Sequence, residues 1–189
     1  ILFNDEEAER LYRIAAIEPL SVKLELVAEL EPQKPNRHSY LLWSLLKSDK
    51  NDLVLQKATE LGVTNFVPIV GDRTEKMGFD EARSMRIVIE AAEQCGRGDI
   101  PHVREPIGLS EAIKEYNEKI DLYVCEQGSD HVFQPKEDRA VGVLVGPEGG
   151  WSDNEKELFA AAKLQHIGLG EFTLRAETAA IVAVAKIAE

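Results

Sequence analysis

Two glycine-bearing stretches in the C-terminal third hold residues whose types and spacing could do chemistry. The first is Gly146-Pro147-Glu148-Gly149-Gly150. It follows the apolar run Val141-Gly142-Val143-Leu144-Val145 and precedes Ser152 and Glu155, whose spacing forms a capping box that starts a helix. A turn between such a strand and helix lies beyond the carboxyl end of the strand, where open α/β sheets bind ligands. It serves equally as a plain tight connection, and spacing alone leaves both readings open. As a phosphate cradle it is poor. Pro147 lacks a backbone donor, and Glu148 puts a negative charge where an anion would lie. A neutral or cationic ligand read by backbone groups suits it better.

The second stretch is Gly168-Leu169-Gly170-Glu171, followed by Phe172-Thr173-Leu174-Arg175-Ala176-Glu177-Thr178-Ala179 and an Ala-rich helix expected over 175–189. Only 19 residues follow Gly170, too few for the βαβ unit of about 30 residues that a dinucleotide fingerprint needs. Arg175, Glu177 and Thr178 fall within one turn at the helix start. Glu177 suits the positive end of the helix dipole and Thr178 can bond locally, whereas Arg175 is unfavourable there. A cation held against the dipole points to a partner.

These turns need a scaffold. Residues 1–31 read as strands: Val22, Leu24, Leu26, Ala28 and Leu30 alternate with Lys23, Glu25, Val27 and Glu29, the period of a half-buried strand. A strand over 11–17 is expected to pair with it, and 1–3 to end another. Three short strands bury no core of their own, so they read as the tail of a small β domain. Its start is expected to lie outside this chain, which opens on Ile1 rather than Met. Pro32 and Pro35 make 31–36 a linker. From Ser39 onward apolar runs alternate with helical patterns. Strands are expected over 40–46, 65–70, 121–125, 141–145 and 166–169. Helices are expected from an Asp49 cap to Gly62, over 80–95, over 110–116 and after Ser152. Alternating βα units argue for an α/β fold, a mostly parallel sheet with helices on both faces.

Composition bounds the function. With 189 residues, 44% hydrophobic and 30% charged, the chain has the makings of one large domain, alone or with a small appendage, and is not disordered. The longest stretch without charge or histidine, 61–71, is far short of the about 20 residues of a membrane span. No basic segment followed by an apolar one opens the chain, so no secretory leader is read. Cys95 and Cys125 make no disulfide framework and suit a reducing cytoplasm. His38, His102, His131 and His166 are scattered, so no metal is expected. With 34 acidic and 22 basic residues the net charge is −12. That disfavours a general nucleic-acid coat and leaves room for a local basic face.

Gly146–Gly150, taken with the Leu169-Gly170 to Leu174-Arg175-Ala176-Glu177-Thr178-Ala179 pattern, resembles the paired motifs of the RsmE family. Its members are ribosomal RNA uridine-N3 methyltransferases of the SPOUT, or α/β-knot, superfamily. Two further stretches resemble it: Leu55-Gln56-Lys57-Ala58-Thr59-Glu60-Leu61-Gly62-Val63, and Ile89-Glu90-Ala91-Ala92-Glu93-Gln94-Cys95-Gly96-Arg97 with Pro101 after it. The resemblance runs from Ser39 to the C-terminus. Residues 1–31 resemble the end of the family's PUA-like barrel, which divides the chain at 1–33 and 34–189. Two departures stand out. The barrel's first strands, with basic residues the family uses on RNA, are not in the sequence, and the stretch from Arg73 to Arg86 is short for the family.

The resemblance implies a C-terminal deep trefoil knot, a homodimer, and an S-adenosylmethionine site made by Val145, Gly146, Pro147, Glu148, Gly149, Gly150, Ile167, Leu169, Gly170, Leu174, Arg175 and Thr178. It implies methylation of a uridine N3 in 16S (small-subunit) ribosomal RNA. That nitrogen is nucleophilic only once its proton leaves, and the charge then spread over O2, N3 and O4 calls for a cation. Arg175 is the first candidate and Arg97 the second, although Arg97 could equally bind a phosphate. Cys95 reads as a spectator thiol. Lys47, Lys50, Arg73, Lys76 and Arg97 are expected to flank the cofactor mouth as an RNA face. Two other readings stay open: another SPOUT enzyme acting on a ribose 2′-hydroxyl, and a non-catalytic RNA-binding protein that keeps the fold. The stretch from Glu90 to Arg97 favours N3 methylation, and the intact turns favour an enzyme.

Overall fold

The chain order is β1 (Glu9–Glu18), β2 (Ser21–Leu30), β3 (Ser39–Ser44), α1 (Ser48–Glu60), β4 (Asn65–Val70), α2 (Glu81–Cys95), β5 (His102–Val103), β6 (Ile107–Gly108), α3 (Leu109–Tyr116), β7 (Asp121–Cys125), β8 (Val141–Val145), α4 (Asp153–Ala161), β9 (Gln165–Ile167) and α5 (Ala176–Ile187). These come from a computed structural model, which describes residues 9–75, 78–129, 131, 133, 134, 136 and 139–188.

The main sheet has the order β5-β4-β3-β8-β7-β9, with β6 also on β4, and each of its pairings is parallel. Parallel neighbours cannot be joined by tight hairpins, so crossovers must cover the faces. On one face Leu55 and Ala58 of α1, Val88 of α2 and Ala183 and Val184 of α5 pack with Leu41, Trp43 and Val143. On the other, Ala112 and Ile113 of α3 and Phe159 of α4 pack with Leu42, Val67 and Leu144. The expected α/β architecture, helices on both faces, is what forms. All five residues of β8 are buried, as a strand with two paired edges and two covered faces must be. A Cβ on Gly142 would lie 2.6 Å from Ile120 Cδ1 and 3.1 Å from Leu122 Cδ1. Among the described residues no helix is long and apolar enough to cross a membrane.

Local chemistry sets the element ends. Asp80 caps α2 by accepting from the Arg83 amide at 2.9 Å, and Gly96 ends it at φ +77°, a conformation that favours glycine. Asn51 fixes α1 against β3. Its buried Oδ1 accepts from the Trp43 indole and the Leu46 amide, both at 3.0 Å, while its Nδ2 donates to the Leu46 carbonyl.

Four expectations are corrected. Among the described residues β1 and β2 pair only with each other, with register shifts between Leu11 and Tyr12 and between Ile14 and Ala16. No described residue covers their apolar face, so Val22, Leu24 and Leu26 are 52%, 43% and 53% exposed rather than half-buried; the strand expected over 1–3 lies outside the described residues. Lys47, not Asp49, is the N-cap of α1. Arg175 is the extended N-cap of α5, which starts at Ala176. The two-residue strands β5 and β6 are too short to show a period.

The fourth correction is Arg97. It is buried, at 7% exposure. Its Nη1 donates to the carbonyls of Thr59 and Val63 at 2.8 Å, and Nε and Nη2 grip Asp99 at 3.0 and 2.7 Å. The guanidinium therefore closes the carboxyl end of α1, where a positive charge is favourable. Replacing Arg97 by Met should strand Asp99 and two carbonyls, at a cost of about 3 kcal/mol. Scanning calorimetry should show Tm lower by roughly 6–12 °C. An unchanged Tm would remove the capping role.

Candidate active site

In a parallel sheet every strand points the same way, so the connections after β4, β7, β8 and β9 leave from one edge. They enclose a pocket of about 400 Å³, a size that suits a small organic ligand. Cys125 to Gln127 line it after β7, Val145 to Trp151 after β8, and Leu169, Gly170 and Phe172 to Leu174 after β9, with Arg73, Lys156, Ala176 and Ala179 completing it.

Trp151 braces two of these connections. It is 7% exposed, donates its indole N–H to the Cys125 carbonyl at 3.3 Å, and sits edge-on to Phe159 at 5.0 Å. Its ring lies where a Cβ on Gly146 would come within 3.1 Å, so the strand end needs glycine there. The expected capping box is present: Ser152 Oγ accepts from the Glu155 amide at 3.1 Å, and Glu155 Oε2 from the Ser152 amide at 2.6 Å. Glu155 is buried and its other oxygen accepts from the Asp72 amide at 3.0 Å. One carboxylate thus ties the connection after β4 to the one after β8. Gly71 makes this possible, because a Cβ there would lie 2.2 Å from Glu155 Oε1. Gly150 and Gly170 have φ of +66° and +145°, which only glycine adopts without strain.

The charges at the pocket are arranged in pairs. Lys50 Nζ lies 2.7 Å from Glu148 Oε1 and 3.4 Å from Glu177 Oε2. The Lys50 hydrogen bond holds the Glu148 carboxyl below its ordinary range, with Lys47 adding to it, and Glu148 in turn raises the Lys50 ammonium. Glu126 meets His166 Nδ1 at 2.7 Å and Lys156 at 3.5 Å. Burial pushes the Cys125 thiol up to about 12, so it stays protonated near neutral pH and is no nucleophile.

The structure brings most of the expected residues together. Val145, Gly146, Pro147, Glu148, Gly149, Gly150, Leu169, Gly170 and Leu174 all line the pocket. Ile167 lies beneath it, 1% exposed, its carbonyl accepting from the Glu126 amide at 3.0 Å. Arg175 and Thr178 are exposed and outside the lining. Arg175 nevertheless stands between the lining residues Leu174 and Ala176, and among the described residues its guanidinium has no ion pair or hydrogen bond. Of the expected RNA face, Lys47 is exposed at the α1 N-cap, Lys50 pairs with Glu148, and Arg73 donates to the Gly149 carbonyl at 2.7 Å. Lys76 lies outside the described residues. Arg97 lines a different hollow, beside Gln33 and Gly62, and takes no part here. Cys95 ends α2, its thiol on the Ala92 carbonyl at 3.6 Å, and does not line the pocket.

Sequence reasoning missed Trp151, Cys125 to Gln127, Lys156, Phe172, Thr173, Ala176 and Ala179. Trp151 had a signal, being the first large side chain after the glycines. The segment after β7 had one only for a reader who knew that β7 neighbours β8.

The model of the RNA methyltransferase domain family matches residues 32–188. Ribosomal RNA small subunit methyltransferase E of Rickettsia conorii is 31% identical over 192 residues, covering 98% of this chain and 78% of that protein. Its counterpart from Aquifex aeolicus is 34% identical over 165 residues, covering 85% of this chain and 72% of that protein. The crystal structure of ribosomal RNA small subunit methyltransferase E from Neisseria gonorrhoeae, bound to S-adenosyl methionine, superposes with a TM-score of 0.84 at 29% identity, covering 96% of this chain and 82% of that one. Kinship over most of the chain, and over more than two thirds of these relatives, makes it a member of the ribosomal RNA small subunit methyltransferase E family of RNA methyltransferases.

Proposed function

We propose that this chain is an S-adenosylmethionine-dependent methyltransferase that methylates N3 of a uridine in 16S ribosomal RNA. The make-up of the pocket carries the reading. Two glycine turns offer backbone groups over an apolar floor of Val145, Leu169, Leu174 and Ala179, and the lining holds both signs of charge, Glu126 and Glu148 with Arg73 and Lys156. Such a site fits a ligand that carries an amine, a carboxylate and a sulfonium beside an uncharged heterocycle. Gly146 to Gly150, Leu169, Gly170 and Leu174 would hold it, with Ile167 supporting from below. The cofactor supplies the activated methyl group. The chain supplies position and field. Arg175, exposed and unpaired among the described residues beside the pocket, stabilises the anionic uracil from which N3 attacks.

The kinship and the Glu90 to Arg97 stretch favour the base nitrogen over a ribose hydroxyl, and the intact turns favour an enzyme over a binding protein. α5 follows the β9 connection and packs back on α1, β3 and β8, which supports a trefoil knot. We assign 1–33 to a PUA-like RNA-binding β domain and 34–189 to the methyltransferase domain, acting in the cytoplasm without a metal. Ile181, Val182 and Ala185 leave α5 a partly exposed apolar side, which supports a homodimer.

Three measurements test this. Calorimetry should show S-adenosylmethionine binding that Gly149→Val weakens by about 100-fold or more. A Cβ there meets Arg73 Cδ at 3.4 Å, an ordinary contact, so the fold should survive; unchanged affinity would refute the placement. Arg175→Ala should lower kcat about 100-fold while cofactor affinity stays within about threefold, and mass mapping of the product should find the methyl group on the base. Sedimentation should show a dimer burying more than about 1,000 Å², made monomeric by Ile181→Lys; a monomeric wild type would defeat that part.

A further inference from the structure

We infer that Lys50 is a positioning residue that clamps the cofactor turn after β8 to the start of α5, which follows the second cofactor turn, rather than a contact for RNA phosphate. The inference rests on the proposed use of the pocket. Lys50 lies in the first turn of α1. Its ammonium reaches Glu148 Oε1 at 2.7 Å, in the middle of the turn after β8, and Glu177 Oε2 at 3.4 Å, in the first turn of α5. One side chain on a third element therefore joins the segments that supply two walls of the pocket.

The burial of Glu177 makes this joint matter. Glu177 is 8% exposed, and its Oε2 is shielded from solvent without a hydrogen bond. Among the described residues Lys50 is the cation that faces it. The positive end of α5 helps to hold this carboxylate, but Glu148, its side chain 47% exposed, approaches the same ammonium, and two carboxylates that share one counter-charge repel. The Lys50 side chain is 23% exposed, and its ammonium is engaged by both carboxylates. Lys50 is the counter-charge that Glu148 and Glu177 share, with Lys47 adding to the hold on Glu148. Without Lys50, repulsion between the two carboxylates acts between the turn after β8 and the start of α5. A lysine here keeps the geometry of the walls.

The test is Lys50→Met, with S-adenosylmethionine affinity measured by calorimetry in the absence of RNA. Affinity should fall about tenfold, and KM for the cofactor should rise in step. The kcat and the KM for RNA should stay within about threefold. Lys50→Arg, which keeps the cation, should bind within about threefold of wild type. Lys50→Met with Glu177→Gln should regain most of the loss, because a neutral amide needs no counter-charge. Normal cofactor affinity in Lys50→Met, with weaker and less salt-dependent RNA binding, would show a phosphate contact and overturn the clamp. Failure of Glu177→Gln to rescue would overturn it as well. Should Lys50→Met not fold, Lys50→Gln carries the same expectations. The pocket itself is tested by Gly149→Val. A chain in which that variant loses the cofactor and Lys50→Met does not would keep the proposed function and lose only the clamp.

Discussion

A strand paired on both edges and covered on both faces can carry chemistry only at its ends. β8 is held in that position, between β3 and β7, with space so short that a single Cβ at Gly142 would press on Ile120 and Leu122. Its side chains are committed to the core, so what the chain does must be done by the backbone and side chains that follow Val145. Parallel pairing then decides the company they keep: the ends of β4, β7 and β9 emerge at the same edge. Buried braces hold these ends in register. Trp151 spans from the β8 connection to the Cys125 carbonyl, and Glu155 spans from its own helix cap to the Asp72 amide. Rigid support of this kind lets a turn built mostly of glycine present its backbone at fixed positions, which preorganised binding needs.

Electrostatics divides the basic residues into two kinds. Arg73 and Lys50 touch the Gly146–Gly150 turn itself, and Arg97 closes a helix far from the pocket. Their charge is part of the structure. Lys47 and Arg175 remain exposed near the turns. Cations left exposed in this way can release counterions on meeting phosphates, whereas sequence is specified by contacts to the bases and by shape.

The parts legible in the sequence were those set by near neighbours. The β8 run, the Ser152–Glu155 capping box and the end of α2 at Gly96 each depend on residues within a few positions, and each formed as read. Arg97 shows the opposite case. An arginine after a helix-ending glycine reads as exposed, yet its acceptors are the Thr59 and Val63 carbonyls, brought to it by the packing of α1 on α2. Lys50 likewise reads as a surface cation until Glu148 and Glu177 arrive from distant segments. The pocket-lining turns could be named without knowing the strand order, but Cys125 to Gln127 could not, since only the β7–β8 pairing places them there.

The hairpin follows the same reasoning in reverse. Val22, Leu24 and Leu26 carry the alternation of a strand with a buried face, yet they stand open, as do Leu11, Ile14 and Ile17 on the facing strand. A two-stranded ribbon has no second layer of its own on which to bury such a face. The ribbon is nevertheless anchored to the methyltransferase body at its base. Gln33 donates its amide to Glu9 and accepts from the Gly98 amide at 2.8 Å, and Gly98 admits Pro32 only because it lacks a side chain, a Cβ there lying 2.4 Å from Pro32 Cβ. Gly98 follows directly on Arg97, so the residue read as catalytic helps to fix the loop on which the hairpin rests. The base of the hairpin is therefore tied to the loop after α2, and through Arg97 to the carboxyl end of α1.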